Sequence, residues 1–313
     1  MMRKTALLFA GQGAQVVGMG RDLAGSFAAA RDCFDRSRTV LGDDLPSICF
    51  QGPEELLTRT ENAQPAIFLT SWAAFQLLKE QVVGLTFQAT AGLSLGELTA
   101  LAAAGAVSFE EGLKMARQRG RLMQEACELT HGTMAAVLGL EAAVLREVCD
   151  LAGVEMANLN CPGQIVISGE TDKIEKACEL AKAKGARRAV RLPVAGAYHS
   201  RLMAVAQPKV RLMLEAAPLR PPCVPVISNV TARPHGTVDE IRQRLTDQVA
   251  SPVRWEDSIR YLAGEGFTRF IELGPGTALS GFAKRITKDA EILNVADLPS
   301  LENTARILNG QSE

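Results

Sequence analysis

Residues 85–104 run Leu-Thr-Phe-Gln-Ala-Thr-Ala-Gly-Leu-Ser-Leu-Gly-Glu-Leu-Thr-Ala-Leu-Ala-Ala-Ala and change from a strand-like to a helix-forming composition. Between the two parts lies Gly92-Leu-Ser-Leu-Gly96, a G-x-S-x-G sequence in the strand–turn–helix context that such a motif requires. The glycines allow a sharp turn that projects Ser94 outward, and the following helix start offers free backbone N–H groups to a developing negative charge. We interpret Ser94 as a nucleophile; the alternative is a serine that only caps the helix.

Short apolar strands and longer helical segments alternate on both sides of this turn. The strand-like segments are residues 6–10, 87–91, 224–228, 267–273 and 292–296, and the helical segments are 65–79, 97–104, 109–129, 238–250, 255–264 and 278–287. Alternation of this kind is typical of a mostly parallel sheet covered by helices on both faces. We therefore predict the α/β class, with a large hydrolase-like lobe.

The pattern changes between residues 130 and 197, where strands and helices follow the order β-α-β-β-α-β of a ferredoxin-like unit. This segment predicts a small lobe of residues 130–197 inserted into a large catalytic lobe of residues 1–129 and 198–313. Ligands favour the junction between two lobes, so we expect the site in a cleft there.

Composition excludes several classes of function. The 313 residues carry a net charge of −1, so no bulk positive field would recruit nucleic acid or an anionic membrane. The seven cysteines follow no metal-binding or disulfide spacing, which predicts reduced thiols, no metal site and a cytoplasmic location. The apolar run 6–10 is too short for a signal peptide, and no segment is long enough to span a membrane.

A serine nucleophile needs a base, and the chain has three histidines. His199 lies in Gly196-Ala-Tyr-His-Ser200, just after the inserted segment, where small residues allow a bend towards Ser94. His131 and His235 lie in loop-like sequence, and we expect both to be solvated. His199 is therefore the candidate base.

The turn Gly11-Gln-Gly13 follows the first strand but lacks the third glycine of a dinucleotide-binding motif and the lysine of a P-loop. It is either a plain turn or a loop of backbone donors, such as half of an oxyanion hole.

Arg119 borders a stripe of small and apolar residues on the helix 109–129, whereas Arg117 and Arg121 point to its other side. An unpaired buried charge is costly, so a guanidinium on this stripe needs an anion. The anion is either a protein carboxylate or a carboxylate of the substrate.

Taken together, these motifs resemble those of the malonyl-CoA:acyl carrier protein transacylases over residues 5–297. The segments that carry the resemblance, in the order of the family, are residues 9–15, 92–97, 115–125, 160–169, 196–200, 248–255 and 272–276. The resemblance implies an [acyl-carrier-protein] S-malonyltransferase that passes malonyl from malonyl-CoA to the phosphopantetheine thiol of acyl carrier protein. It also implies a monomer with no cofactor of its own and a role in supplying fatty-acid synthesis.

The same resemblance implies a role for each candidate residue. Ser94 is the nucleophile and His199 the base, and the backbone carbonyl of Gln248 orients the histidine. The backbone N–H groups of Gln12 and Leu95 form the oxyanion hole. In the same scheme, Arg119 binds the free carboxylate of malonate.

Two further expectations depend on the resemblance. Tyr198 beside the base favours malonyl over methylmalonyl, and the basic residues Lys284, Arg285 and Lys288 are candidates for carrier docking.

The chain departs from the family at Leu93, which replaces a histidine that usually precedes the nucleophile. The alternative functions are a proofreading acyl hydrolase, a polyketide-pathway acyltransferase and a non-catalytic carrier-binding module.

Overall fold

The structure is a computed structural model and describes residues 3–310. In chain order its strands and helices are β1 (Lys4–Phe9), α1 (Arg21–Ser26), α2 (Ala28–Leu41), α3 (Leu45–Gln51), α4 (Glu54–Thr58), α5 (Thr60–Gln81), β2 (Ala89–Gly92), α6 (Gly96–Ala103), α7 (Phe109–Leu129), β3 (Gly132–Leu138), α8 (Ala142–Ala152), β4 (Glu155–Cys161), β5 (Gln164–Glu170), α9 (Thr171–Ala183), β6 (Arg188–Arg191), a 3-10 helix (Arg201–Ala206), α10 (Gln207–Ala216), β7 (Val226–Ile227), α11 (Val238–Gln248), α12 (Trp255–Gly264), β8 (Phe267–Leu273), α13 (Ala278–Ile286), β9 (Glu291–Val295) and α14 (Leu298–Leu308).

The larger sheet has five strands in the order β7-β2-β1-β8-β9, and every pair of neighbours is parallel. Its central strand β1 is apolar at successive positions from Ala6 to Phe9, and these side chains are fully buried. A strand that is apolar on both sides requires cover on both faces of the sheet, which helices provide. The predicted α/β class is confirmed.

The smaller sheet has four antiparallel strands in the order β4-β5-β3-β6, all within residues 132–191. If these four strands are numbered 1 to 4 in chain order, their order in the sheet is 2-3-1-4, which is the arrangement of a ferredoxin-like fold. Helices α8 and α9 cover it around a separate apolar core. Backbone hydrogen bonds from Val253 N to Ala157 O (2.8 Å) and from Leu159 N to Val253 O (2.9 Å) join β4 to the rest of the chain. The exact lobe boundaries, 130–197, stay a prediction.

The helix α5 begins five residues before the predicted start at Pro65, which instead lies within its second turn. Proline has no N–H, so it leaves the carbonyl of Glu61 without its usual helical donor. Arg117 Nη1 donates to this carbonyl at 3.1 Å, and Arg117 Nη2 pairs with Asp43 at 2.8 Å. Arg117 does point away from the Arg119 side, as expected, but it is buried in a structural role.

Helices α1–α4, α10 and α14 were not predicted from the sequence. Within residues 3–310, no helix combines the length and the apolar character that crossing a membrane requires.

Candidate active site

The turn at Ser94 is held tight by close backbone packing at both of its glycines. A Cβ on Gly92 would lie 2.0 Å from Gly96 O, and a Cβ on Gly96 would lie 2.2 Å from Phe9 O. Both contacts are far shorter than van der Waals distance, so only glycine allows β1, β2 and α6 to meet here. The turn places Ser94 at a φ of 52°, a left-handed conformation that is strained for serine.

Asn229, in the loop after β7, fixes this strained turn from the other side. Its Oδ1 accepts a hydrogen bond from Ser94 N at 2.6 Å, and its Nδ2 donates to Gly92 O at 2.8 Å. The side chain thus ties the residue at the tip of the turn to the end of the strand.

His199 lies beside Ser94, with 2.8 Å between His199 Nε2 and Ser94 Oγ. Its Nδ1 is 2.8 Å from the backbone oxygen of Gln248. A carbonyl oxygen can only accept, so Nδ1 carries the proton and Nε2 keeps its lone pair for the serine hydroxyl. Burial, and then the charge of Arg119, lower the pKa of His199 to about 4. The ring is therefore neutral at neutral pH, which is the state that a general base requires.

The predicted oxyanion loop packs directly against the turn. A Cβ on Gly11 would lie 2.3 Å from Leu93 O, so the two backbones approach closely here as well. Within residues 3–310, neither the N–H of Gln12 nor the N–H of Leu95 donates to a protein acceptor. These two donors, next to Gly11 and Ser94 respectively, are available to an oxyanion.

Arg119 projects from α7 and is 3% exposed. Its Nη1 donates to Gln64 Oε1 at 2.8 Å, and its Nη2 donates to Gln248 Oε1 at 2.8 Å and to Ser94 Oγ at 3.2 Å. Burial lowers the pKa of Arg119 to about 10, and the charge of Glu97 opposes this shift. In the part of the chain that the structure describes, no carboxylate lies within ion-pair distance of Arg119. The direct ion pair with a protein carboxylate, one of the two alternatives from the sequence, is therefore absent there.

A cleft of about 680 Å³ opens above Ser94 and lies between the two sheets. One wall carries Gln12, Ser94 and His199, and the other includes Met134 and Asn158 from the smaller sheet. The remaining lining includes the apolar Leu93, Met123, Val166, Leu279 and Phe282, together with Tyr198, Asn160 and Glu272. A partly apolar cleft with a few polar groups is typical of a site that binds a small molecule.

His235 corrects one expectation from the sequence. It lies in a loop, as predicted, but its side chain is fully buried, and its Nε2 is 2.7 Å from Glu97 Oε1. The loop folds inward because His235 N bonds to Val226 O, at the end of the parallel sheet. His131 is exposed, as predicted.

Three further buried residues were missed as parts of the site: Gln64, Glu97 and Asn229. A glutamine within an apolar helix and an asparagine after a short strand carry no sequence signal of their own. Glu97 directly follows the G-x-S-x-G motif, and this position was the available signal that it belongs to the site.

Of the basic residues suggested for carrier docking, Lys284, Arg285 and Lys288 are all exposed. Arg285 donates to Gln164 Oε1 at 2.9 Å and to Pro162 O at 2.6 Å, so it joins α13 to the turn between β4 and β5. Two of its N–H groups are thus already hydrogen-bonded within the chain.

Known proteins resemble this chain over nearly its whole length. The acyl transferase domain family matches residues 6–305. The malonyl CoA-acyl carrier protein transacylase of Bacillus subtilis (strain 168) is 44% identical, over 100% of this chain and 99% of that protein. The solved malonyl CoA-acyl carrier protein transacylase from Coxiella burnetii has a TM-score of 0.95 at 35% identity, over 99% of each chain. A malonyl-transacylase in complex with a type II PKS acyl-carrier protein has a TM-score of 0.94 at 35% identity, over 97% of this chain and 99% of that one. The chain therefore belongs to the malonyl-CoA:acyl carrier protein transacylase family of acyl transferase domains, as its motifs predicted.

Proposed function

We propose that this chain transfers the malonyl group of malonyl-CoA to the phosphopantetheine thiol of acyl carrier protein through an ester on Ser94. The observation that carries the proposal is the position of Arg119, a buried cation that touches the serine oxygen. Its charge has no carboxylate partner within ion-pair distance among residues 3–310. A substrate that brings its own carboxylate to within a few ångströms of the reacting carbonyl supplies that partner, and malonyl does so.

In the first half-reaction, Ser94 Oγ attacks the thioester carbonyl while His199 Nε2 takes the hydroxyl proton. The carbonyl oxygen becomes an oxyanion, which the N–H groups of Gln12 and Leu95 stabilise. When the C–S bond breaks, His199 returns the proton to the departing CoA thiolate. The malonyl-serine ester and free CoA thiol remain.

In the second half-reaction, the carrier's phosphopantetheine thiol replaces CoA in the emptied cleft. His199 takes the thiol proton as the sulfur attacks the ester, and it gives the proton back to Ser94 as the C–O bond breaks. The carbonyl of Gln248 holds the histidine in the tautomer that both steps use. The chain thus replaces the acid of a serine–histidine–aspartate triad by a neutral carbonyl.

Arg119 also supports transfer over hydrolysis of uncharged acyl groups. An acyl chain without a carboxylate leaves the guanidinium with only neutral partners, so it gains no ion pair. The proofreading hydrolase is therefore the less favoured alternative. The intact serine–histidine contact of 2.8 Å likewise disfavours a module that only binds the carrier.

Further features of the proposal rest on the family resemblance. We place the chain in the cytoplasm as a monomer that uses only the substrate CoA and the carrier's phosphopantetheine. We assign it to the supply of extender units for fatty-acid synthesis, with polyketide synthesis as the alternative. Tyr198, which hydrogen-bonds Thr60 at the edge of the cleft, is proposed to exclude an α-methyl group.

Label transfer tests the function. The protein is incubated with malonyl-CoA labelled in the malonyl group, freed of excess label, and then mixed with holo acyl carrier protein. Stable protein-bound label that moves to the carrier supports the transferase. Release of the label as free malonate before the carrier is added would favour the hydrolase, and the absence of bound label would favour the binding module.

A further inference from the structure

Glu97, at the first turn of α6, is a fully buried acid that no step of the transfer reaction uses. Its Oε2 accepts from Gln248 Nε2 at 2.7 Å and from Asn229 N at 2.9 Å. Its Oε1 lies 2.7 Å from His235 Nε2. A carboxylate with this many well-placed donors is held rigidly under the nucleophile turn.

The side chain of Gln248 spans the gap between Glu97 and Arg119. Its Nε2 donates to Glu97 Oε2 at 2.7 Å, while its Oε1 accepts from Arg119 Nη2 at 2.8 Å. The amide therefore directs its N–H group to the anion and its oxygen to the cation. The same Nε2 also donates to Ser94 O at 3.2 Å and to Asn229 Oδ1 at 3.4 Å, so Glu97 is the nearest of three acceptors and the one carboxylate among them. Because a carboxylate only accepts hydrogen bonds, Glu97 favours this orientation of the amide over the reverse one.

The orientation of the amide matters for Arg119. With the amide reversed, its NH₂ group would face the guanidinium, and two donors would oppose each other in a buried site. A long arginine side chain would then lose the fixed geometry that binding a carboxylate requires. Glu97 thus helps to fix the hydrogen bond between Arg119 and Gln248, although Glu97 itself does not contact Arg119.

We propose that Glu97 is a positioning residue for malonyl loading, and that it acts by orienting the Gln248 amide, which in turn holds the Arg119 guanidinium beside Ser94. This inference rests on the proposed function, because it assumes that Arg119 binds the free carboxylate of the substrate. It predicts an effect that depends on the substrate's charge. Loss of the Glu97 carboxylate harms malonyl loading more than acetyl loading.

The test compares kcat/KM for malonyl-CoA and acetyl-CoA in Glu97→Gln, with thermal unfolding measured in parallel. The new amide either accepts a neutral, weaker hydrogen bond from Gln248 or opposes it with its own NH₂ group, so we expect the malonyl-to-acetyl ratio to fall about tenfold. In the Arg119→Ala background, Glu97→Gln should change the ratio no further, because the cation through which it acts has gone.

His235→Asn is the matched control. It removes a partner from the same carboxylate, but at the oxygen that faces away from Gln248. We expect it to lower the unfolding temperature and to leave the malonyl-to-acetyl ratio unchanged. If Glu97→Gln does not fold, Gln248→Met carries the test, because it removes the amide and keeps the backbone carbonyl that binds His199. Gln248→Met should lower the same ratio.

The outcomes separate this inference from the proposed function. An unchanged ratio in Arg119→Ala would refute the role of Arg119 and with it the proposed function. A reduced ratio in Arg119→Ala with an unchanged ratio in Glu97→Gln, or in Gln248→Met where that variant carries the test, would overturn only the role of Glu97. An equal fall of the ratio in His235→Asn would also overturn it, since the effect would then not run through Gln248.

Discussion

Arg119 Nη2 lies 3.2 Å from Ser94 Oγ, so the fixed positive charge of the site touches the atom that would carry the acyl group. An ester on this oxygen places its acyl carbonyl one bond away and, in malonyl, a free carboxylate two carbons further on. That carboxylate can bind the guanidinium while the acyl group stays bound to Ser94. In the proposed function, substrate selection and chemistry therefore use neighbouring atoms.

Arg119→Ala should make malonyl loading slow relative to acetyl loading. It removes a charge-assisted interaction worth about 3 kcal/mol, so kcat/KM for malonyl-CoA should fall roughly a hundredfold. Acetyl-CoA lacks the carboxylate and should be affected much less. Competition between the two substrates in single-turnover loading measures this ratio, and equal losses for both would contradict a carboxylate-binding role.

The acid limb of the pH profile should report the unusual environment of His199. Burial, and then Arg119, lower the pKa of His199 to about 4. The base is active only when neutral, so kcat/KM should be lost as the pH falls through about 4 rather than through the ordinary value near 6.5. Acetyl loading measured across this range gives the midpoint.

Arg119→Gln supplies the control for that profile. Removal of the positive charge should move the midpoint for acetyl loading to higher pH. It should not restore the ordinary value fully, because burial is the larger cause. A wild-type midpoint already near 6.5, unmoved by the substitution, would show that His199 is solvated or is not the base.

Gly96→Ala should strongly destabilise the fold, because its Cβ would lie 2.2 Å from Phe9 O. We expect a loss of about 2 kcal/mol or more in the free energy of unfolding, since backbone must move at the junction of β1 and α6. Gly281→Ala is the matched control within helix α13, where a Cβ meets no atom within 4 Å. It should raise stability by about 0.5–1 kcal/mol. Urea unfolding compares the two, and similar stabilities would contradict the packing of the turn.

Leu93→His, which places the family's usual residue before the nucleophile, tests whether Leu93 impairs transfer. Leu93 lines the cleft, but it takes part in neither of the hydrogen bonds that join Ser94 to His199 and to Arg119. We expect malonyl transfer to persist in both forms, with kcat/KM differing by less than about tenfold. Steady-state transfer rates decide this, and a gain much above tenfold would show that the missing histidine limits the natural chain.

The sequence predicted the fold well where local pattern and packing agree. The strand 267–273 and the helices 109–129 and 255–264 have the predicted bounds, because turn residues and apolar periodicity mark both ends. Prediction was weaker where one residue has two roles. Pro65 resembles a helix start, yet α5 begins earlier because Arg117 satisfies the carbonyl that the proline leaves free.

The contact between Ser94 and His199 was predictable from the sequence, but the residues that support it were not. Ser94 and His199 lie in small-residue turns that mark them in the sequence. Glu97 and His235, by contrast, make a pair 138 residues apart, and neither residue type indicates burial. Their pairing depends on a loop that turns under the parallel sheet, which no local pattern specifies.

Passage of the malonyl group through an ester on Ser94 is tested most directly by a single-turnover experiment followed by peptide mass spectrometry. The protein is mixed with malonyl-CoA, quenched and digested, with Ser94→Ala treated in parallel. We predict a malonyl adduct on the peptide that contains Ser94, its absence in Ser94→Ala, and its disappearance when holo acyl carrier protein is added before the quench. A malonyl adduct on another residue, or malonylated carrier formed at the wild-type rate by Ser94→Ala, would contradict it.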